Sequence, residues 1–384
     1  MRIKILVLAV CILFLCLSSV TANPMLDWSI ETVDSDGNVG GFTSIALDSS
    51  GSPHIGYRNW SDGLKYAKWN GTGWDLQTVD SDGNVGWSTS LALDSSDSPH
   101  ISYYDFTKKD LKYATWNGTG WDLQTVDSDG KVGSGTSIAL DSSGYPHISY
   151  LNSTKSTDDD LKYAKWTGTG WDLQTVDSDV GEPTSLALDS SDVPHISYHN
   201  GTNGNLKYAT WNGTGWDIQT VDSKGAVGFT SIALDSSGSP HISYLNYTSG
   251  GLGYAKWTGT GWDLQTVDSD GNVGAYNSIA LDSSSGPHIS YHNGTNDDLK
   301  YATWNGTGWD IQTVDSDGDV GRYTSIALDS SGYPHISYYN GTTGSLKYAT
   351  LAFAPTEVPN LTPVGLIALT GSLTLIAAVV MRRR

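Results

Sequence analysis

The sequence predicts an all-β protein: a seven-bladed β-propeller of four-stranded antiparallel blades, closed by its N-terminal strand and followed by one C-terminal transmembrane helix. The pentapeptide Pro-His-Ile-Ser-Tyr, or a close variant, occurs seven times in the 384 residues, at spacings of 46 to 48. A repeat of this length, filled with short alternating segments and turns, is typical of blade arrays. Between the two ends of the chain no segment has a sustained helical period. The seven copies, which number the repeats below, begin at Pro53, Pro99, Pro146, Pro194, Pro240, Pro287 and Pro334.

Each repeat contains the pattern of four short strands. In the second repeat these are residues 89–94, 99–103, 111–116 and 121–126, and an Asn-Gly-Thr-Gly loop joins the last two. Alternation with a period of two, together with β-branched and aromatic residues and Asn-Gly turns, favours strands over helices. The first segment is rich in Ser and Ala, and small residues suit the innermost strand because blades approach one another there.

The two ends of the array predict how it closes. Residues 28–33 resemble a fourth strand that precedes the first repeat, whereas the seventh repeat stops after its third strand at 346–351. We therefore expect the N-terminal strand to complete the last blade and to remove an open edge. An open solenoid is the alternative, but it would need capping repeats, and the sequence contains none. The predicted propeller domain is 23–353.

The N-terminal segment 1–22 is typical of a secretory signal, with basic residues, an apolar core and small residues before the cleavage point. The only cysteines of the chain, Cys11 and Cys16, lie in this segment. The exported part is therefore expected to have no disulfide and no cysteine-ligated metal.

The C-terminal segment predicts an anchor. Residues 361–381 form an apolar run long enough to span a bilayer, and the arginines at 382–384 would stay in the cytoplasm. Residues 354–360, with two prolines, are the predicted linker. We expect an exported protein on the cell surface, with the propeller outside.

The charge of the chain restricts its partners. It has 21 basic and 41 acidic residues, a net charge of −20. Such an acidic surface repels the phosphate backbone, so we expect no nucleic-acid partner. Eleven Asn-x-Ser/Thr sequons predict that an exported chain carries glycans.

One histidine of each pentapeptide recurs in every repeat, which suggests either a metal or a structural role. Equivalent histidines on adjacent blades would lie too far apart to share a metal. We interpret them as structural residues that hydrogen-bond a turn group of the same blade, such as Asp48 or Ser50. They are His54, His100, His147, His195, His241, His288 and His335.

The loop Asp-Ser-Asp-Gly-Asn-Val-Gly opens like a calcium-binding loop but lacks the later acidic ligand. Turns favour the same Asp and Gly residues, so the calcium interpretation and the structural one both stand. No other cofactor is predicted. The candidate calcium ligands are Asp34, Asp36, Asp80, Asp82, Asp268 and Asp270.

Residues that differ between repeats indicate where a ligand binds. In propellers the loop before the inner strand and the loop after the second strand share one face, and here both loops vary. Unlike aromatic residues there would stack on sugar rings or anchor a protein; alternatively, they pack loops onto neighbouring blades. The candidate ligand-binding residues are Phe42, Arg58, Trp60, Trp87, Tyr104, His199, Phe229, Tyr276, His292 and Tyr323.

In the blade pattern of residues 28–351, the chain resembles secreted microbial cell-surface proteins built of seven-bladed propeller repeats, which are distantly sialidase-like in architecture. The spacer, apolar span and terminal arginines are similar to archaeal sorting signals, which implies an archaeal source. The Ser-x-Asp-x-Gly-x-Thr-Trp box of sialidases is absent, and the propeller has only Arg58 and Arg322 where their chemistry needs three arginines. Sialidase activity is therefore excluded.

The sequence thus favours a non-catalytic, surface-anchored propeller for binding or adhesion. Its expected ligand is an extracellular carbohydrate or another envelope protein, bound on the face with the variable loops. A hydrolase or lyase acting on polysaccharides at the same face is the first alternative, since Asp is plentiful but no catalytic pair stands out. A structural component of the cell envelope is the second.

Overall fold

The computed structural model describes residues 26–154 and 159–353. Contacts divide the chain into two units. One unit is Trp28–Thr350; the other combines the two ends, of which only 26–27 and 351–353 are described, as strand residues. The predicted signal peptide, linker, transmembrane helix and basic tail lie outside the described residues.

The described residues contain strands and no helix. Accordingly, no described helix is long and apolar enough to cross a membrane. The strands are β1 (Leu26–Asp34), β2 (Val39–Leu47), β3 (Pro53–Asn59), β4 (Gly63–Trp69), β5 (Trp74–Asp80), β6 (Trp87–Leu93), β7 (Pro99–Asp105), β8 (Asp110–Trp116), β9 (Trp121–Asp127), β10 (Val132–Leu140), β11 (Pro146–Asn152), β12 (Asp159–Trp166), β13 (Trp171–Leu188), β14 (Pro194–Asn200), β15 (Leu206–Trp211), β16 (Trp216–Asp222), β17 (Val227–Leu234), β18 (Pro240–Asn246), β19 (Gly251–Trp257), β20 (Trp262–Asp268), β21 (Val273–Leu281), β22 (Pro287–Asn293), β23 (Asp298–Trp304), β24 (Trp309–Asp315), β25 (Val320–Leu328), β26 (Pro334–Asn340) and β27 (Ser345–Phe353).

The predicted four-stranded antiparallel repeat unit is confirmed. Strands β2–β5, β6–β9, β17–β20 and β21–β24 each form one four-stranded sheet in chain order. The last sheet has the order β1-β27-β26-β25, so the N-terminal strand completes the seventh repeat, as predicted.

The third and fourth repeats are fused into one seven-stranded sheet, which the sequence analysis did not foresee. Strand β13 runs for 18 residues, first as the fourth strand of one repeat and then as the first strand of the next. Most other repeats turn between these strands at a glycine with a positive φ, such as Gly37 (φ 88°). Residues 177–181, Asp-Ser-Asp-Val-Gly, lack that glycine. Asp179 has a positive φ (61°) instead, and the pairing with β12 continues as far as Val180.

Adjacent repeats pack face to face, with one apolar core at each boundary between repeats. The core between the first and second repeats joins Leu64 and Tyr66 of β4 to Ile101 and Tyr103 of β7, all at most 3% exposed. An equivalent core joins Leu346 of β27 to Ile55 of β3, at the boundary of the last repeat with the first. Repeated packing of this kind, with the first strands innermost, is that of a β-propeller.

A serine of each inner strand hydrogen-bonds the next inner strand. Its hydroxyl oxygen accepts from a backbone N–H, which explains why the repeat keeps Ser before its apolar Ile or Leu. In the described residues these bonds are Ser44–Leu91 (3.0 Å), Ser90–Ile138 (3.1 Å), Ser137–Leu186 (3.1 Å), Ser185–Ile232 (3.1 Å), Ser231–Ile279 (3.2 Å), Ser278–Ile326 (3.2 Å) and Ser325–Ile45 (3.2 Å).

Candidate functional site

A bulge at the start of the inner strands positions the candidate site. In β2 the pairing with β3 shifts between Gly41 and Ser44, so Phe42 and Thr43 leave the regular ladder. The residue before the Thr or Asn of the inner strand then adopts a left-handed backbone. This holds for Phe42 (φ 49°), Ser88 (50°), Gly135 (59°), Phe229 (41°), Tyr276 (53°) and Tyr323 (55°).

Four of these left-handed residues are aromatic, although glycine suits this backbone best. A bulky residue held there costs about 1–3 kcal/mol. Gly135 shows that the fold accepts glycine at the same position. Backbone geometry therefore does not explain why these positions carry aromatic side chains.

The first residues of the inner strands line one cavity of about 410 Å³. The wall contains the hydroxyl side chains that follow each bulge residue, such as Thr43 and Ser44. Tyr247 and Glu182 come from other positions of the repeat. The cavity thus combines hydroxyl groups, an exposed carboxylate and aromatic rings.

The aromatic rings form a continuous row on one side of the cavity. The centroid of Phe42 lies 4.5 Å from that of Tyr323, Tyr323 lies 4.7 Å from Tyr276, and Tyr276 lies 4.6 Å from Phe229. These four residues belong to the fifth, sixth, seventh and first repeats, which are consecutive. The second, third and fourth repeats place Ser88, Gly135 and the pair Glu182-Pro183 on the other side. The cavity therefore has an aromatic half and a small, polar half.

Loop aromatics extend the row outward. Trp87 lies 5.4 Å from Phe42 and stacks on Phe106 at 5.2 Å. Trp60 lies 5.3 Å from Tyr339 and 6.5 Å from Tyr323.

Arg58 lies between two of these rings. Its guanidinium carbon is 3.9 Å from the ring centroid of Trp87 and 5.2 Å from that of Trp60. Its Nη2 donates to Asn84 Oδ1 at 2.6 Å, whereas Nε and Nη1 are buried without a hydrogen-bond partner. Burial lowers the pKa of Arg58 to about 10, so the side chain is still a cation at neutral pH. Contact with the ring faces compensates part of the lost hydration.

Three further predicted residues occupy the register position of Arg58 in other repeats. Tyr104 pairs with Trp87 across β6 and β7, and its ring lies 6.1 Å from Phe106. The ring of His292 lies 6.1 Å from that of Tyr276. His199 pairs with Gly181 and forms no described contact with the aromatic row. The structure therefore brings together nine of the ten ligand-binding candidates and leaves His199 apart.

Burial lowers the pKa of both histidines at this position, His199 and His292, so each is neutral at neutral pH. Sequence reasoning missed Asn84, which holds Arg58, and Asp319, which lies beside His292. Both residues occupy a loop position that varies from repeat to repeat. This variation could have identified them as candidate site residues.

The repeated histidines lie at the other end of the second strand, away from the cavity. His54 Nδ1 is 2.6 Å from Tyr66 Oη, and its Nε2 is 3.3 Å from Asp48 Oδ2. Burial lowers the pKa of His54 despite the nearby carboxylate. Equivalent Tyr and Asp neighbours surround His100, His147, His195, His241, His288 and His335. This geometry supports our proposal that they are structural.

The buried candidate calcium ligands, Asp34, Asp80 and Asp268, already have protein partners. Tyr57 Oη and Lys65 Nζ both donate to Asp34 Oδ2 at 2.6 Å, and the N–H of Asp36 donates to Oδ1 at 2.9 Å. Although burial alone would raise the pKa of Asp34, these bonds hold it below its ordinary value. Asp80 and Asp268 accept from Tyr103 and Tyr291 in the same way. A lysine thus occupies the position that a cation would take beside Asp34, and we propose no calcium site at these loops.

No protein-family model and no curated protein matches the chain. Several solved structures are similar to the chain in fold. A protein of unknown function from Dyadobacter fermentans has a TM-score of 0.54 at 10% identity, over 85% of this chain and 98% of that one. AofleA from Arthrobotrys oligospora has a TM-score of 0.52 at 15% identity, over 78% of this chain and 93% of that one. A lectin from Aleuria aurantia, solved with α-methyl-L-fucoside, has a TM-score of 0.48 at 12% identity, over 74% of this chain and 97% of that one. At such identities the first two likenesses show the fold alone.

Proposed function

We propose that this chain is a seven-bladed, closed β-propeller that binds carbohydrate at the cavity of its inner strands and does not act as an enzyme. The observation that carries the proposal is the row of four aromatic residues in left-handed backbone, Phe229, Tyr276, Tyr323 and Phe42. Local strain of this kind is retained where a binding site needs the side chain.

Two observations support a closed ring of seven blades. The serine-to-backbone bonds run from each inner strand to the next, and Ser325 returns to Ile45 of the first repeat. Strand β1 supplies the fourth strand that the seventh repeat lacks. Together these features leave no repeat boundary without a partner sheet among the described residues.

The two halves of the cavity match the two characters of a sugar ring. A pyranose has an apolar face, which stacks on aromatic rings, and hydroxyl groups, which hydrogen-bond side chains such as Thr136, Ser137 and Glu182. The acidic chain and the carboxylate of Glu182 favour a neutral sugar over an acidic one. A cavity of about 410 Å³ is within the range for small-ligand sites.

The lining also favours binding over hydrolysis. Glycosidases place two carboxyl groups about 5–10 Å apart on either side of the scissile bond. Along the described wall of this cavity Glu182 is the one carboxylate. A hydrolase or lyase is therefore the less supported alternative.

The cellular setting of the proposal rests on the sequence. Export by residues 1–22 and anchoring by residues 361–381 would place the cavity outside the cell. We propose that the protein serves there in adhesion, or in capture of carbohydrate at the cell surface.

Full-length protein in detergent, applied to an array of neutral oligosaccharides, tests the proposal. We expect the protein to retain its ligand unmodified. Phe42→Ala should bind the ligand at least about tenfold more weakly than the parent protein, because a stacked ring contributes at least about 1.4 kcal/mol to binding. Tyr145→Ala is the control, since Tyr145 is 40% exposed in the turn at the opposite end of β10 from Gly135. Released sugar would indicate the enzyme instead. Ordered self-association without any array signal would indicate a structural envelope component.

A further inference from the structure

Three potential metal-ligating side chains meet at the boundary of the sixth and seventh repeats. His292 lies in β22, Asp297 in the turn that follows it, and Asp319 in the turn before β25. His292 Nε2 is 3.7 Å from Asp297 Oδ1 and 3.9 Å from Asp319 Oδ1. One ligand atom from each of the three residues lies within 4.8 Å of the other two.

Two of these atoms are buried without a hydrogen-bond partner. His292 is only 5% exposed, and neither its Nε2 nor Asp319 Oδ1 has a partner among the described residues. Folded proteins rarely leave buried polar atoms unpaired, and a bound ion is one of the recognised reasons. Both atoms point at the same small volume, so one ion would satisfy both.

The loop carrying Asp319 is fixed so that one carboxylate oxygen remains free. Arg322 Nη2 forms an ion pair with Asp319 Oδ2 at 2.8 Å, whereas Asp319 Oδ1 lies 3.9 Å from His292 Nε2. The N–H of Asp319 donates to Thr342 Oγ1 at 2.8 Å, and its carbonyl accepts from the N–H of Gly341. Outer partners that orient a ligand in this way are typical of metal sites.

This combination of residues is not required by the repeat. The register position of His292 holds His199 in the fourth repeat, but no pair of carboxylates faces His199 among the described residues. Asp297 has a left-handed backbone (φ 59°), where other repeats have a glycine such as Gly204 or, in the second repeat, Lys109 (φ 67°). A scaffold requirement would recur in every repeat, whereas this cluster occurs at one boundary.

We propose that His292, Asp297 and Asp319 bind one divalent transition-metal ion, with zinc the best fit. An imidazole nitrogen and two carboxylate oxygens are ligands that zinc accepts, whereas calcium prefers oxygen alone. Atoms bound about 2.0–2.1 Å from a tetrahedral zinc are roughly 3.4 Å apart, so the observed separations need only a small closure. The Asp297 side chain is half exposed, which leaves a route for the ion and an open coordination position.

The charges around the three side chains favour a bound cation. The carboxylates of Asp297 and Asp319 outweigh the one guanidinium of Arg322, and Asp298 adds further negative potential at His292.

Zinc titration of the full-length protein tests the site, in detergent, without a polyhistidine tag and after treatment with a chelator. We expect one bound zinc per chain by calorimetry, no comparable calcium binding, and visible d–d bands when cobalt(II) replaces zinc. His292→Ala and Asp319→Asn should weaken binding by about tenfold or more. Asp297→Asn, a half-exposed and nearly isosteric change, provides a variant that does not threaten folding.

His199→Ala is the matched control, because it removes a histidine at the same register position without facing acids. It should keep full zinc binding. Equal loss in His199→Ala and His292→Ala, or zinc binding unchanged in Asp297→Asn and His292→Ala, would overturn the proposal. The carbohydrate array uses other residues, so its failure would leave the zinc result standing, and the reverse also holds.

Discussion

The hydroxyl oxygen of Ser325 accepts a hydrogen bond from the backbone N–H of Ile45 at 3.2 Å, across 280 residues of sequence. It is the same bond that Ser44 makes with Leu91 at 3.0 Å inside the array. The boundary between the last and first repeats is therefore chemically equivalent to the internal boundaries. If the array were open, Ile45 would lack this partner.

Ser325→Ala should destabilise the fold by about 1–3 kcal/mol, because it leaves a part-buried N–H without its acceptor. Ser137→Ala, at the internal boundary with Leu186, should cost a similar amount. Denaturant unfolding of both variants checks this. If Ser137→Ala is destabilised and Ser325→Ala is not, the boundary between the last and first repeats contributes little to the free energy of unfolding.

Gly56→Ser should stabilise the fold by about 1 kcal/mol. In other repeats the pentapeptide serine bonds the next inner strand, as Ser102 does with Thr136 at 3.0 Å. Gly56 replaces that serine in the first repeat, and Thr89 bonds Gly86 O at 2.9 Å instead. A hydroxyl at 56 restores the missing bond and removes the flexibility of glycine.

The side chain at 56 must also fit. A Cβ there would lie 3.1 Å from Thr89 Cγ2, so Thr89 has to rotate slightly. Gly56→Ala, which adds the carbon without the hydroxyl, separates the two effects in thermal unfolding. If Gly56→Ser is no more stable than Gly56→Ala, the hydrogen bond is not the source of the gain.

Phe229→Gly should be more stable than Phe229→Ala by about 1 kcal/mol, the reverse of the usual order. The backbone of residue 229 is left-handed (φ 41°), and only glycine adopts it without strain. Both variants remove the ring that contacts Tyr276, so both should lose carbohydrate affinity equally. Unfolding and array binding, measured on the same two proteins, separate the backbone effect from the ligand effect.

Stability should fall as the pH drops from about 6.5 toward 4. Burial and then Lys165 lower the pKa of His147 to about 4, and burial likewise lowers the pKa of His241 to about 4. The unfolded chain protonates these histidines near 6.5 and the folded chain does not. Their contribution is therefore complete above pH 6.5 and is lost on acidification through this window.

His147→Gln provides the check on this pH dependence, since glutamine keeps a polar group but does not titrate. Its melting temperature should depend less on pH between 6.5 and 4 than that of the parent protein. An unchanged slope would mean that the histidine is not the titrating group.

The sequence predicted the repeat sheets and the role of β1 because every repeat carries its own strand and turn signals. It did not predict that β13 continues through a repeat boundary, since a missing glycine in 177–181 is a weak local signal. It identified Phe42 and Tyr323 as variable aromatics. Their contact at 4.5 Å joins the seventh repeat to the first, and the local pattern does not show which side chains meet at that boundary. The sequence also did not predict that His292 lies beside Asp319, because these two residues belong to different repeats.

From the position of β1 beside β27 we expect a particular order of folding. Synthesis proceeds from the N-terminus, so β1 is made first and its partner is made last. Thr43 of β2 and Ser337 of β26, which bond between the first and seventh repeats, are 294 residues apart. Until the final strand emerges, β1 presents an unpaired edge to neighbouring chains. Completion of the seventh repeat is therefore the last assembly step, and truncating β27 should yield a protein that associates with other chains instead of closing on itself.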